Sequence, residues 1–203
     1  PVEIYLADNL VDVIREPVSA VNTLYKETLF EYEGNGKSAS ELSEEIKDIR
    51  SDMYEIKASF TLSPSASDYS GGVYVRYNPT VNALGTERSA VTFTNNGIYV
   101  DRTSSTILDY PVKVDTYHFN VDGPTYDVTI YVDRSLLEVY VNDIATITTR
   151  IYPKYGDSDY ISLFDFNSNI KFTKFKITQM KGCYVDDPEE AYFGNVGNLK
   201  EAI

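Results

Sequence analysis

The chain has 203 residues, 18 basic against 31 acidic, for a formal net charge of −13, with 42% apolar residues, 18 tyrosines, 9 phenylalanines and no tryptophan. This length and apolar content suffice for a packed core and exclude an acidic disordered chain. The charge argues against nucleic acid and anionic membrane as partners, and no stretch approaches the roughly 18 consecutive apolar residues of a spanning helix. The single cysteine, Cys183, excludes an internal disulfide and a thiolate metal cage.

In chain order, Val2–Leu6 reads as a short strand, and Pro17 interrupts any helix between Asn9 and Lys26. Leu29–Glu33 reads as a second strand. Ser38–Ile49 is the clearest helix: Ser38 and Glu41 have capping-box spacing, and Leu42, Ile46 and Ile49 share one face. From about Met53 to Met180 the period changes to two. Tyr54, Ile56, Ala58, Phe60 and Leu62 alternate with Glu55, Lys57, Ser59 and Thr61, a strand with one wet face. Further runs begin at Val73, flank the Asn95-Asn96-Gly97 turn, and cover Val112–Asn120, Tyr126–Asp133, Leu136–Asn142, Ala145–Ile151, Tyr160–Phe164 and Ile170–Ile177. In the last run Ile170 and Phe172 share one phase and Phe175 and Ile177 the other, which predicts a bulge near Thr173–Lys174. The expected fold is an all-β, two-sheet antiparallel sandwich with a short N-terminal helix. Its expected organisation is a linker-like segment with the first strands over 1–52, a sandwich core over 53–180 and an acidic C-terminal extension over 181–203.

If Arg134-Ser135 turns the chain, Val128, Ile130 and Val132 face Val141, Val139 and Leu137, and Tyr131, Asp133, Glu138 and Tyr140 share the other face. Asp133 and Glu138 would then be close enough to resemble a retaining glycosidase pair. The commoner explanation is that Asp133 closes the turn and Glu138 pairs with Arg134 or a neighbouring strand. His118 is the lone histidine and there is no Gly-x-Ser-x-Gly elbow, so neither a Ser-His-Asp triad nor a zinc site is expected. Asp186, Asp187, Glu189 and Glu190 lack calcium-loop spacing and read as a solvated run. Tyr74, Tyr131 and Tyr140 point away from the apolar phase of their strands. They are candidates for stacking on sugar rings, or for covering by a second sheet or neighbouring domain.

The run Val132-Asp133-Arg134-Ser135-Leu136-Leu137-Glu138-Val139-Tyr140-Val141-Asn142-Asp143, followed by Thr149-Arg150-Ile151-Tyr152-Pro153, closely resembles the C-terminal β-sandwich of glycoside hydrolase family 32, the invertases, levanases and inulinases. Ile144 stands where that family usually has glycine. The resemblance implies two stacked antiparallel sheets packed against a five-bladed propeller that carries the catalytic carboxylates. None of the propeller motifs (Trp-Met-Asn-Asp-Pro-Asn-Gly, Arg-Asp-Pro, Glu-Cys) occurs here, so no catalytic residue carries over. Asp133, Ser135, Glu138, Asn142, Arg150 and Pro153 match positions that are structural in the family. The expectation is a non-catalytic accessory sandwich of a fructan- or sucrose-hydrolysing enzyme, with a catalytic propeller as partner, fructan contact and homodimer formation as secondary roles, and no cofactor or metal. A free-standing carbohydrate-binding module using surface tyrosines is the second reading. The start at Pro1 fits a piece of a longer polypeptide, and an extracellular location is favoured over a cytoplasmic one.

Overall fold

The computed structural model describes residues 2–6, 13–63, 71–80, 87–105, 114–118, 124–166 and 170–181. Cys183, the acidic run 186–190 and the rest of the expected extension from 182 onward lie outside the described residues. The chain runs β1 (Val2–Leu6), β2 (Val13–Pro17), a 3-10 turn (Ser19–Leu24), β3 (Tyr25–Lys37), α1 (Ala39–Ile46), β4 (Met53–Leu62), β5 (Gly71–Asn78) and β6 (Glu87–Thr94). It continues through β7 (Gly97–Asp101), β8 (Asp115–His118), β9 (Thr125–Asp133), β10 (Leu136–Val141), β11 (Ala145–Arg150), β12 (Tyr160–Asp165) and β13 (Ile170–Met180).

Two antiparallel sheets carry the fold. The larger has the order β11-β10-β9-β4-β13-β3 and the smaller β12-β5-β6-β7-β8, while β1 and β2 form a separate hairpin. The apolar phase of each strand meets the other sheet, as period-two alternation requires. Ile56, Phe60, Ile130, Val139 and Phe175 from one side and Val75, Val91, Phe93, Ile98 and Leu163 from the other are buried in one core. Phe60 is its hub: its ring stacks on Tyr126 at 5.2 Å and 3° and meets Phe93 and Phe172 at 5.2 Å each.

The expected bulge is present. Pairing of β13 with both β3 and β4 shifts register between Phe172 and Lys174, which keeps Phe175 and Ile177 on the core side after the phase change. The helix is capped as its spacing predicts: Ser38 accepts from Glu41 N while Glu41 receives the Ser38 N–H. Leu42 and Ile46 are buried, and Ser43 Oγ donates to Leu163 O and accepts from Leu163 N, so α1 sits against strand β12.

Three features go beyond the sequence expectation. First, β3 extends from Tyr25 to Lys37 rather than from Leu29 to Glu33, and it is an edge strand of the larger sheet. Its pairing with β13 tolerates the weakly patterned Lys26–Thr28 and Gly34–Gly36 stretches, and Gly36 adopts φ 116. Second, the stretch around Pro17 forms a strand followed by a 3-10 turn. Proline is admitted at the end of β2 because that hairpin has only two strands. Third, the turn after β10 places positive φ on Asn142 (50°) and Asp143 (58°), residue types that tolerate it, so Ile144 needs no glycine-like conformation.

Candidate functional site

The motif hairpin β9–β10 pairs in the expected register. Val132, Ile130 and Val128 stand opposite Leu137, Val139 and Val141, which leaves Tyr131 and Glu138 as a direct pair on the outer face. Asp133 closes the turn opposite Leu136, and Arg134 within it has φ 53. Around this turn Arg134 N donates to Asp52 O, Ile151 N to Ser135 O, and Arg150 Nη1 to Ser135 Oγ at 2.9 Å. At the other end of the strands Asn142 ties the β9–β10 pair. Its side-chain oxygen accepts from Asp127 N at 2.7 Å and its amide donates to Thr125 O. Half-buried Pro153 opens a loop that Glu87, itself 4% exposed, holds by accepting from Lys154 N, Tyr155 N and Ser158 Oγ. These motif residues therefore brace turns and loop ends.

The outer face of the larger sheet is not uniformly wet. Residues 18–25 cross it as a strap, anchored where Lys181 N donates to Leu24 O at 2.7 Å. Val21, Leu24 and Tyr25 pack on Tyr131, Tyr140 and Met180, a second small core outside the sandwich. Tyr131 is 9% and Tyr140 4% exposed, and their rings meet edge to face at 6.1 Å. Tyr74 lies on the smaller sheet, half-buried between Phe164 stacked at 4.2 Å and the Arg88 guanidinium 5.2 Å from its ring.

The strap also buries a charge. Glu55, expected on the wet face, is 2% exposed, accepts the Tyr25 phenol at 2.5 Å, and lies 3.2 Å from Lys57 Nζ. The Tyr131 phenol hydrogen-bonds into the same node. Burial first, and then the hydrogen bond to Glu55, raise the Tyr25 phenol above its ordinary value; burial and the Glu55 charge raise that of Tyr131 further. Tyr25 and Glu55 are missed by pattern reading because the strap has no periodicity that would place it over the sheet.

Beyond the strap, the same face opens into a groove of about 370 Å³. It is walled by Pro17 of β2 and the Asn142–Asp143 turn, and floored by successive rows from β3, β13, β4 and β9. One row runs Glu33, Lys174, Ser59, Asp127; the next runs Glu31, Lys176, Lys57, Thr129. Lys174 pairs with Glu33 at 3.0 Å, Lys176 with Glu31 at 3.3 Å, and Ser59 Oγ donates to Asp127 at 2.5 Å. The hairpin that forms the wall is clamped from behind: Arg15 N donates to Asp143 O at 2.7 Å and Arg15 Nη1 to Ile144 O at 2.8 Å. Asp133 and Glu138 do not line the groove. His118 is exposed on β8 with its ring edge-on to Tyr99 at 5.9 Å. Among the described residues no three His, Cys, Asp or Glu side chains are grouped to hold a metal ion.

Fold and site together define an antiparallel β-sandwich module with a polar groove across one outer face. Solved structures with a similar fold include fructan 1-exohydrolase IIa from Cichorium intybus (TM-score 0.68, 17% identity, 90% of this chain and 40% of that one). They also include exo-inulinase from Aspergillus awamori (0.64, 17%, 90% and 35%) and sucrose-6-phosphate hydrolase from Lactobacillus gasseri (0.60, 17%, 89% and 33%). At that identity the likeness is one of fold, and this chain spans only a third to two-fifths of their lengths. No curated protein matches the sequence. The model of the family described as glycosyl hydrolases family 32, C terminal, matches residues 20–179, and the chain belongs to that family.

Proposed function

We propose that the chain is the non-catalytic accessory sandwich of a fructan- or sucrose-hydrolysing enzyme, and that it supports a catalytic propeller in the same polypeptide or in a separate chain. The observation that carries this reading is the family match over 20–179, joined to solved relatives in which the same fold is one part of a much longer chain. The β1–β2 hairpin supplies a surface for such a partner. Val2, Ile4, Tyr5 and Leu6 are 40%, 64%, 43% and 58% exposed, an apolar density that two strands alone cannot bury. Asp133 and Glu138 are engaged in a turn and in a cross-strand row, which suits bracing rather than acid–base chemistry.

Two measurements test the proposal. The chain alone releases no fructose from sucrose, inulin or levan, and when added to a separately produced family propeller it raises the propeller's melting temperature. Fructose release by the chain alone that disappears in Asp133→Asn overturns the reading in favour of an independent glycosidase. Failure of the chain to stabilise the propeller removes the supporting role.

A further inference from the structure

The sequence holds two asparagine–glycine dipeptides, Asn35-Gly36 and Asn96-Gly97. Both carry the same latent chemistry. Glycine has no Cβ to obstruct its own nitrogen, which can therefore reach the preceding side-chain amide and attack its carbonyl carbon. Asparagine is a thermolabile residue. Two identical dipeptides differ only in what the fold lets each backbone do, and these two stand in opposite surroundings.

Asn96-Gly97 closes the β6–β7 hairpin. Gly97 pairs with Thr94 on one side and with His118 on the other, so strands hold it from both directions. Asn96 N donates to Thr94 Oγ1 at 3.2 Å, and Thr94 Oγ1 donates to Gly97 O at 3.3 Å. The space beside Gly97 is filled, since a Cβ there would lie 2.2 Å from Tyr117 O. Ring closure at Asn96 therefore requires the hairpin to open locally first.

Asn35-Gly36 lies on the edge strand β3, whose neighbour in the sheet is β13 alone. There the ladder steps from Lys174 opposite Glu33 to Phe172 opposite Lys37, so Gly34, Asn35 and Gly36 together face Thr173. This bulge leaves Asn35 without a cross-strand pair. Asn35 is exposed, and a Cβ on Gly36 would approach nothing closer than Lys171 Cβ at 3.7 Å. Tyr32 supplies a restraint: Gly36 N donates to its phenol oxygen at 3.2 Å, and Lys37 Nζ lies 4.5 Å from the centre of its ring. A single neutral hydrogen bond thus holds the attacking nitrogen, where Gly97 is held by two strands.

We propose that Asn35 is a site of spontaneous covalent modification in the folded chain, converting to aspartate and isoaspartate, that the hairpin protects Asn96 from the same reaction, and that the Tyr32 hydroxyl slows the step at Asn35. Gly36 N bonds to Asn35 Cγ, the Cγ–Nδ2 bond breaks, and the proton lost from Gly36 N leaves with Nδ2 as ammonia. Water then opens the five-membered imide. Opening at the bond between Cγ and Gly36 N gives aspartate; opening at the bond between Asn35 C and Gly36 N gives isoaspartate. Either product adds a carboxylate to an edge strand that already carries Glu31 and Glu33, and charge on an edge opposes pairing with further strands. The site is independent of the accessory role, so its failure would leave that reading untouched.

The test is incubation of the 203-residue chain in mildly alkaline buffer, with aspartate and isoaspartate at each position followed by peptide mapping and mass spectrometry. Asn35 is expected to react at least about tenfold faster than Asn96 in the folded chain, because only Asn96 waits on hairpin opening. In concentrated urea the two rates should converge. Tyr32→Phe keeps the ring, removes the acceptor, and should speed the reaction at Asn35 about two- to tenfold, the range of one neutral hydrogen bond. The Asn96 rate, which rises only if the fold opens, reports in the same sample whether that variant is folded. Equal rates in the folded chain, faster reaction at Asn96, reaction of Asn35 only after urea unfolding, or a ratio that persists in urea would each overturn the site. An unchanged Asn35 rate in folded Tyr32→Phe would overturn the role of Tyr32.

Discussion

Tyr25 donates its phenol at 2.5 Å to Glu55, a carboxylate 2% exposed on the face of β4 that alternation assigns to water. The bond fastens the strap to the sheet and explains why a charge can lie under it: Lys57 balances the carboxylate at 3.2 Å and two phenols satisfy its oxygens. Glu55→Ala strands those phenols in the small outer core, and should cost about 2 kcal/mol of unfolding free energy. Tyr25→Phe removes one donor and should cost about 1 kcal/mol. Urea unfolding of the two variants measures both, and equal stability of Glu55→Ala and the parent would show that the node contributes nothing.

The same node makes stability depend on alkaline pH. Burial and Glu55 raise the Tyr25 and Tyr131 phenols, so the folded chain keeps protons that the unfolded chain releases near pH 10. Their contribution is complete below that value and is lost as pH rises through the raised folded values. Melting temperature should therefore fall above about pH 10. Glu55→Gln should make the fall shallower, since burial remains but the carboxylate charge is gone. Melting curves across this range decide between a shallower and an unchanged slope.

Asp143 gives a case of the same sign in the acid range. Burial, followed by the charges of Glu16 and Asp127, raises its carboxyl above the ordinary value. Protonated Asp143 thus favours the folded chain below the unfolded carboxyl's pKa, and this contribution is lost as pH rises through the folded value. Asp143→Asn keeps a residue type that tolerates φ 58 and should raise the melting temperature at pH 7 but not at pH 3. A gain at acid pH equal to that at neutral pH would rule out the charge explanation.

Glu87 braces the loop that follows Pro153. Glu87→Ala removes the acceptor for Lys154 N, Tyr155 N and Ser158 Oγ, and should open that loop to protease cleavage between residues 154 and 157. Loss of these hydrogen bonds, the one from Ser158 buried, should lower global stability by about 2–3 kcal/mol. Gly156→Ala is the control in the same loop, since a Cβ there meets nothing within 4 Å.

Close approach of backbones controls the smaller sheet. A Cβ at Gly72 would lie 1.8 Å from Val91 O, so Gly72→Ala must part β5 from β6 and should cost about 3 kcal/mol or more. Phe60→Leu at the core hub should cost less, about 1–2 kcal/mol, because a volume-reducing apolar change lets neighbouring rings relax. Denaturant midpoints of the two variants, measured together, test that order.

The sandwich was legible in the sequence wherever a strand has one buried face. Val128, Ile130 and Val132 against Val141, Val139 and Leu137 follow from parity and a two-residue turn, and the bulge at Phe172–Lys174 follows from a break in that parity. The capping box of α1 was legible for a similar reason, since Ser38 and Glu41 interact across three residues. The candidate site was legible only in part. Tyr131, Glu138 and Tyr140 were placed correctly on the outer face, but their surroundings were not, because parity says which side a residue takes and nothing about what later covers it.

What covers that side is a long-range matter. The strap at residues 18–25 reaches Glu55, Tyr131, Tyr140 and Met180, and the hairpin wall at Arg15 reaches Asp143 and Ile144. The sequence by itself determined the strands, their inward faces, the turn at Arg134–Ser135 and a likeness of about twenty residues to the family 32 sandwich. Tertiary structure alone decided that Glu55 is buried, that Tyr131 and Tyr140 are core rather than surface, and that Lys57 and Lys176 meet on the floor of a groove. The physical reason is that strand periodicity is written in neighbouring residues, whereas burial of a polar face depends on packing between segments from 30 to 129 residues apart.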